Sequence, residues 1–86
     1  MNLVLLISSS FASDKCIEEA GLYARLFSAK ENEISVKDIQ LKSIQFYSEE
    51  NKVLFYAVIL DNREQLNVGL IEKDCTLKLI NKVTND

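Results

Sequence analysis

Cys16 and Cys75 carry the most reactive side chains in this sequence, and their setting points to a covalent link more than to a reaction. A thiol acts as nucleophile or metal ligand once ionised, which takes a nearby His, a basic cluster or a CxxC partner. The chain has no His, and its two cysteines lie far apart in sequence. An even cysteine count in a short chain reads as a disulfide framework, so the expectation is a Cys16–Cys75 bridge. The alternative is a pair of buried free thiols.

The carboxylates offer less. Glu18–Glu19 and Glu49–Glu50 are adjacent pairs. Neighbouring side chains diverge on a helix or strand, so neither pair aims two carboxyls at one substrate, as general acid–base chemistry needs. Without His, the most usual general base and the commonest zinc ligand are missing. Gly21 and Gly69 are the only glycines, too few for a phosphate-cradling loop. These absences lead us to expect no catalytic residues, no metal and no cofactor. The 13 acids and 10 bases are interspersed and leave a net charge of −3. That mixture argues against nucleic acid and against an anionic membrane surface as partner.

The elements that must position these residues begin with a helix. In SDKCIEEAGLYARLFSAK, Ser13 or Asp14 caps the start, Glu18 and Glu19 sit near the positive end, and Lys30 near the negative end. At 100° per residue, Cys16, Ala20, Tyr23 and Phe27 form one stripe, flanked by Ile17 and Ala24, which predicts a helix over about 14–30 with that face inward. Gly21 beside Ala20 and Ala24 predicts close packing on a sheet. Residues 31–38 read as a connection containing a short extended piece at Ile34 and Val36.

Beyond it the hydrophobic period changes from 3.6 to 2. Strands are expected at about 39–47, 52–60, 65–72 and 75–83, separated by the turns SEEN, DNRE and Lys73-Asp74. Leu41 and Ile44 share a face only if a bulge intervenes near Lys42-Ser43. The fold class is therefore α+β: one N-terminal helix packed on a four-stranded antiparallel meander. QLNVG (65–69) resembles the Q-x-V-x-G hairpin of cystatin-type protease inhibitors. Asn67 stands where that motif has Val, and alternation places the segment in a strand instead of at a loop tip, so no family is assigned.

The opening MNLVLLISSSFAS has two readings. Leu3–Ile7 forms an apolar core, Ser8–Ser10 a polar stretch, and Ser10-Phe11-Ala12 a small-x-small cleavage pattern, so residues 1–12 are assigned as a signal peptide ahead of a single small domain at 13–86. The competing reading keeps residues 1–12 as an edge strand. No stretch approaches the roughly 20 apolar residues of a membrane span.

A function could sit on the most apolar strand, KVLFYAVIL. With one helix on one sheet face, Leu54, Tyr56, Val58 and Leu60, joined by Ile71 and Ile80, are expected to form an outward apolar patch with Tyr56 as its anchor. Leu22, Leu26 and Arg63, the last from the DNRE turn, form a secondary patch. The expected function is that of a small exported, non-catalytic protein, periplasmic or secreted, which binds another protein as an inhibitor, immunity or accessory factor. The alternative is a cytoplasmic structural or regulatory domain that pairs with a second copy of itself as a homodimer.

Overall fold

The computed structural model describes residues 15–83. The segment assigned as a signal peptide, 1–12, lies outside the described residues, as do Ser13 and Asp14. The one α-helix among the described residues, α1, runs Ile17–Asn32 with Cys16 as its N-cap and no side-chain cap hydrogen bond there. Glu18 and Glu19 lie in its first turn and Lys30 in its last, complementing the helix dipole. Its buried face consists of small residues: Ala20, Gly21, Ala24, Ser28 and Ala29. Small side chains let the helix lie close to the sheet, and a Cβ at Gly21 would come within 2.8 Å of the Leu41 side chain. The expected stripe is in place, with Cys16 and Ala20 fully buried and Ile17, Tyr23 and Phe27 packed partly buried against the core.

The helix extends two residues past the expected end. Asn32 donates from Nδ2 to the Ser28 carbonyl at 2.9 Å. Glu33 then turns left-handed at φ 57°, its N–H reaching the Lys30 carbonyl while that of Ile34 reaches Ala29. This is a Schellman termination, made without the usual glycine. Instead of the expected extended piece, the connection forms a short 3-10 turn at Val36–Asp38. Arg25 anchors it to α1, donating from Nε to the Ile39 carbonyl at 2.8 Å and from Nη2 to the Val36 carbonyl at 3.2 Å.

The sheet comprises β1 (Leu41–Glu50), β2 (Val53–Leu60), β3 (Gln65–Ile71) and β4 (Leu77–Lys82). It is a meander in the order β1-β2-β3-β4, every neighbouring pair antiparallel. The register of β1 shifts between Leu41 and Ser43, where the bulge was expected, and again between Phe46 and Ser48. β1 also continues through Glu50, so the first turn is Asn51-Lys52 and not SEEN. Both turn residues have positive φ, 53° and 66°, the geometry of the two-residue hairpin whose twist matches the strands. Arg63 and Cys75 hold the left-handed corners of the other two connections, at φ 73° and 62°. Among the described residues no helix is long and apolar enough to cross a membrane.

The two sheet faces are exchanged relative to expectation. Leu54, Tyr56, Val58 and Leu60 are 0–2% exposed and lie beneath α1, with Ile80 packed partly buried on the same side. The reason is register. Leu54, Tyr56 and Val58 stand opposite Leu70, Val68 and Leu66 on β3, so that face is apolar across the strands. The other face sets Ile59, Ala57 and Phe55 against Gln65, Asn67 and Gly69. Placing the helix on the first face removes more apolar surface from water.

Candidate functional site

The expected bridge is present: Cys16 and Cys75 form a disulfide with Cα atoms 5.4 Å apart, at a sequence separation of 59. Cys75 does not begin the last strand. It occupies the corner of the β3–β4 turn, where its N–H donates to the Ile71 carbonyl at 2.7 Å. The left-handed backbone there turns its side chain toward the start of α1, away from Leu77 and Leu79, which are exposed. Asp74 supports this corner by accepting from the Thr76 hydroxyl at 2.8 Å and from the Thr76 N–H at 3.2 Å. Those two bonds hold the Asp74 carboxyl below its ordinary range.

A second polar cluster joins α1, the β2–β3 turn and β4. Ser28, fully buried, donates from Oγ to Glu64 Oε1, and the same Oγ accepts from Asn32 at 3.2 Å and from Asn62 at 3.1 Å. Glu64 Oε2 accepts from Asn32 at 3.3 Å and pairs with Lys82 at 3.2 Å, while Lys82 lies 3.7 Å from Glu31. Burial works against the Glu64 charge, but the bonds from Ser28 and Asn32 and the Lys82 ammonium outweigh it, so its pKa is lowered. A serine against a carboxylate resembles a nucleophile–base pair. Here the hydroxyl is fully buried, and among the described residues no pocket opens beside it. The cluster is an internal brace, and no motif in the sequence announces it because its members come from three separate elements.

The surface with the properties of a contact site is the sheet face opposite α1. Val53, Phe55, Ala57 and Ile59 of β2 lie on it half-buried, and Ile71 joins them opposite Val53. Of the six residues expected to form the outward patch, Ile71 alone is on this face. Tyr47, at the second bulge of β1, is 52% exposed and sets its ring 6.3 Å from that of Phe55. Gly69 completes the arrangement: a Cβ there would lie 3.0 Å from the Phe55 ring and 3.1 Å from Leu79. The missing side chain lets Phe55 and Leu79 close over the backbone, joining Tyr47, Phe55 and Leu79 into an apolar band across the sheet.

Around the band the register positions are polar but uncharged. Ser43, Gln45 and Ser48 come from β1, Gln65 and Asn67 from β3, and Asn81 from β4. Glu50, opposite Val53 at one end, is the only charge among these paired positions, and exposed Lys42 and Lys78 stand at the bulges of β1 and β4 beside Ser43 and Leu79. In a chain with 27% charged residues, the centre of the face is poor in charge and the lysines stand on its edge strands.

The secondary patch is less coherent. Leu22 and Leu26 are 48% and 45% exposed on the solvent side of α1, and Arg63 is exposed in the β2–β3 turn. QLNVG lies wholly within β3, as its alternation implied. Among the described residues no three cysteine or acidic side chains gather as a metal site would require. The chain matches no protein-family model, and neither a curated protein nor a solved structure matches it.

Proposed function

We propose that this chain is a small extracytoplasmic, non-catalytic module that works by protein–protein contact through the sheet face opposite α1. The observation that carries the reading is the band of Tyr47, Phe55 and Leu79 on a face whose paired positions are polar with one charge, Glu50, the lysines Lys42 and Lys78 standing at the bulges of the edge strands. Interface cores are depleted in charge and enriched in aromatic residues, whereas ordinary surface of this chain is rich in Lys, Glu and Asp. The compartment follows from chemistry of another kind. The Cys16–Cys75 bridge persists where the environment is oxidising, and the layout of residues 1–12 fits a cleaved export signal. Inhibitor, immunity or accessory roles all need such a face and no chemistry of their own.

The test is a photo-crosslinking amino acid placed at Tyr47 in the native host, with the same group at Lys30 on the helix as control. An adduct from the exported fraction at position 47 and not at 30 is expected. The adducted chain should begin at Ser13 and take up an alkylating reagent only after reduction. A chain that retains residues 1–12 with freely reactive thiols would overturn export. Equal or absent crosslinking at the two positions would overturn the binding face.

A further inference from the structure

We infer that the Cys16–Cys75 bridge is a redox latch on the first half of α1, residues 17–24. That half docks on the sheet while the bridge is closed and lifts when a dithiol reductant opens it. The two halves of the helix are held by different means. Among the described residues, every side-chain hydrogen bond and ion pair from α1 starts at Arg25 or later. Arg25 reaches the Val36 and Ile39 carbonyls, Ser28 and Asn32 reach Glu64, and Glu31 lies beside Lys82. The Schellman bonds to Lys30 and Ala29 close the same half. Residues 17–24 have no such tie, and their anchor is the covalent one at Cys16.

Packing does not replace those ties. Ala20, Gly21 and Ala24 are the buried residues of this half and bring one methyl group or none to the core, while Ile17 and Tyr23 are only partly buried. Leu41 lies over Gly21 but is itself 42% exposed. Local preference is weak too. The N-cap makes no side-chain hydrogen bond, Gly21 sits inside the segment, and its length falls short of the roughly 12–15 residues that an isolated helix needs. The bridge lands at one end of the core. Cys75 is bonded to Ile71, next to Leu70, which pairs with Leu54. Lifting residues 17–24 therefore uncovers Leu54 and Leu70, which are 2% and 0% exposed in the closed form.

Opening is a thiol–disulfide exchange. A thiolate of the dithiol attacks one bridge sulfur, the S–S bond breaks, and its electron pair leaves on the other sulfur, which takes a proton. The second thiolate of the reductant then breaks the mixed disulfide, so the bridge gains two electrons and two protons and the dithiol becomes a disulfide. Cys16 is fully buried and Cys75 keeps 9% exposure, so the reductant approaches from the β3–β4 turn. In the extracytoplasmic reading the latch closes after export. That timing rests on the reading; the latch itself does not.

The experiment compares the full oxidised chain with the same chain in dithiothreitol, by amide hydrogen exchange read residue by residue in NMR. On reduction the amides of residues 21–24 should lose at least about tenfold more protection than those of Val58 and Val68, with little dependence on added urea, the mark of local opening. Reoxidation should restore them. Arg25→Gln in the oxidised chain supplies the converse: the Asp38 and Ile39 amides of the connection should lose protection while residues 21–24 keep theirs. An equal loss across α1 and the sheet on reduction overturns the inference, because the bridge would then staple the whole fold. So does an Arg25→Gln chain whose residues 21–24 open as far as they do on reduction. Residues 21–24 that stay protected in dithiothreitol overturn the latch and leave both export and the outer face standing.

Discussion

Removal of the Cys16–Cys75 bridge is the perturbation whose size follows most directly from the structure. The bridge joins the N-cap of α1 to the corner of the β3–β4 turn across 59 residues. A loop of that length, closed in the unfolded chain, lowers its entropy enough to stabilise the native state by about 4 kcal/mol on the chain-entropy account. At roughly 0.05–0.15 kcal/mol per residue, an 86-residue chain has on the order of 4–13 kcal/mol in total, so the bridge is a large share of it. With a urea slope of about 1–1.5 kcal/mol per molar for a chain this small, the midpoint should fall by about 3 M on reduction. Cys16→Ala/Cys75→Ala should fall by a similar amount, since both treatments remove the cross-link. The difference between them isolates sulfur packing at Cys16, which is fully buried. Hydrogen exchange adds a local readout. The Ala20 N–H bonded to the Cys16 carbonyl and the Cys75 N–H bonded to Ile71 should lose protection before the centre of β2. A midpoint that moves by less than about 0.5 M in both samples would refute the entropic argument, because the long loop would then already be closed by residual structure.

Two further measurements test the face assignment and the polar brace. Leu60→Ala, in the core beneath α1, should cost about 2–5 kcal/mol, whereas Ile59→Ala on the opposite face should cost about 1 kcal/mol or less, read as thermal or urea midpoints. The reverse order would mean that the helix covers the other side. The Glu64 carboxyl is lowered by its partners against the cost of burial, so its contribution to stability is complete above the ordinary carboxylate range and disappears as pH falls through the lowered value. Glu64→Gln should flatten that part of the acid-side stability curve in urea titrations at stepped pH, and an unchanged curve would remove Glu64 from the account.

The class, the element order and the disulfide were legible because each rests on a local signal. A 3.6-residue stripe, a change to period two, polar turns and an even cysteine count all lie within short windows. What misled was local as well. SEEN has turn composition, yet Ser48 to Glu50 pair with β2 because the hairpin closes best with two positive-φ residues, and Asn51-Lys52 supply them. Cys75 reads as the first residue of a strand, but the β3–β4 turn needs a left-handed corner at that position. The Ser28–Glu64–Lys82 brace was not legible at all, since contacts between residues 28, 64 and 82 exist only after the sheet and helix have docked.

The exchanged faces show where the missing information lay. Within β2 alone, Val53, Phe55, Ala57 and Ile59 are as apolar as Leu54, Tyr56, Val58 and Leu60, so that strand cannot say which set the helix covers. The decision belongs to β3, whose sequence QLNVGL alternates polar or glycine with aliphatic residues. The DNRE turn sets Gln65 opposite Ile59, which pairs Asn67 with Ala57 and Gly69 with Phe55. Propagating that one register through the hairpin assigns the amides to the outer side and the aliphatics to the core. The consequence reaches function. A β2 face this apolar, with Gln45, Asn67 and Gln65 as its paired neighbours, goes beyond what a solvent-facing strand needs. Phe55, Ala57 and Ile59 stay half-buried there, and they are the surface that the proposed contact would cover.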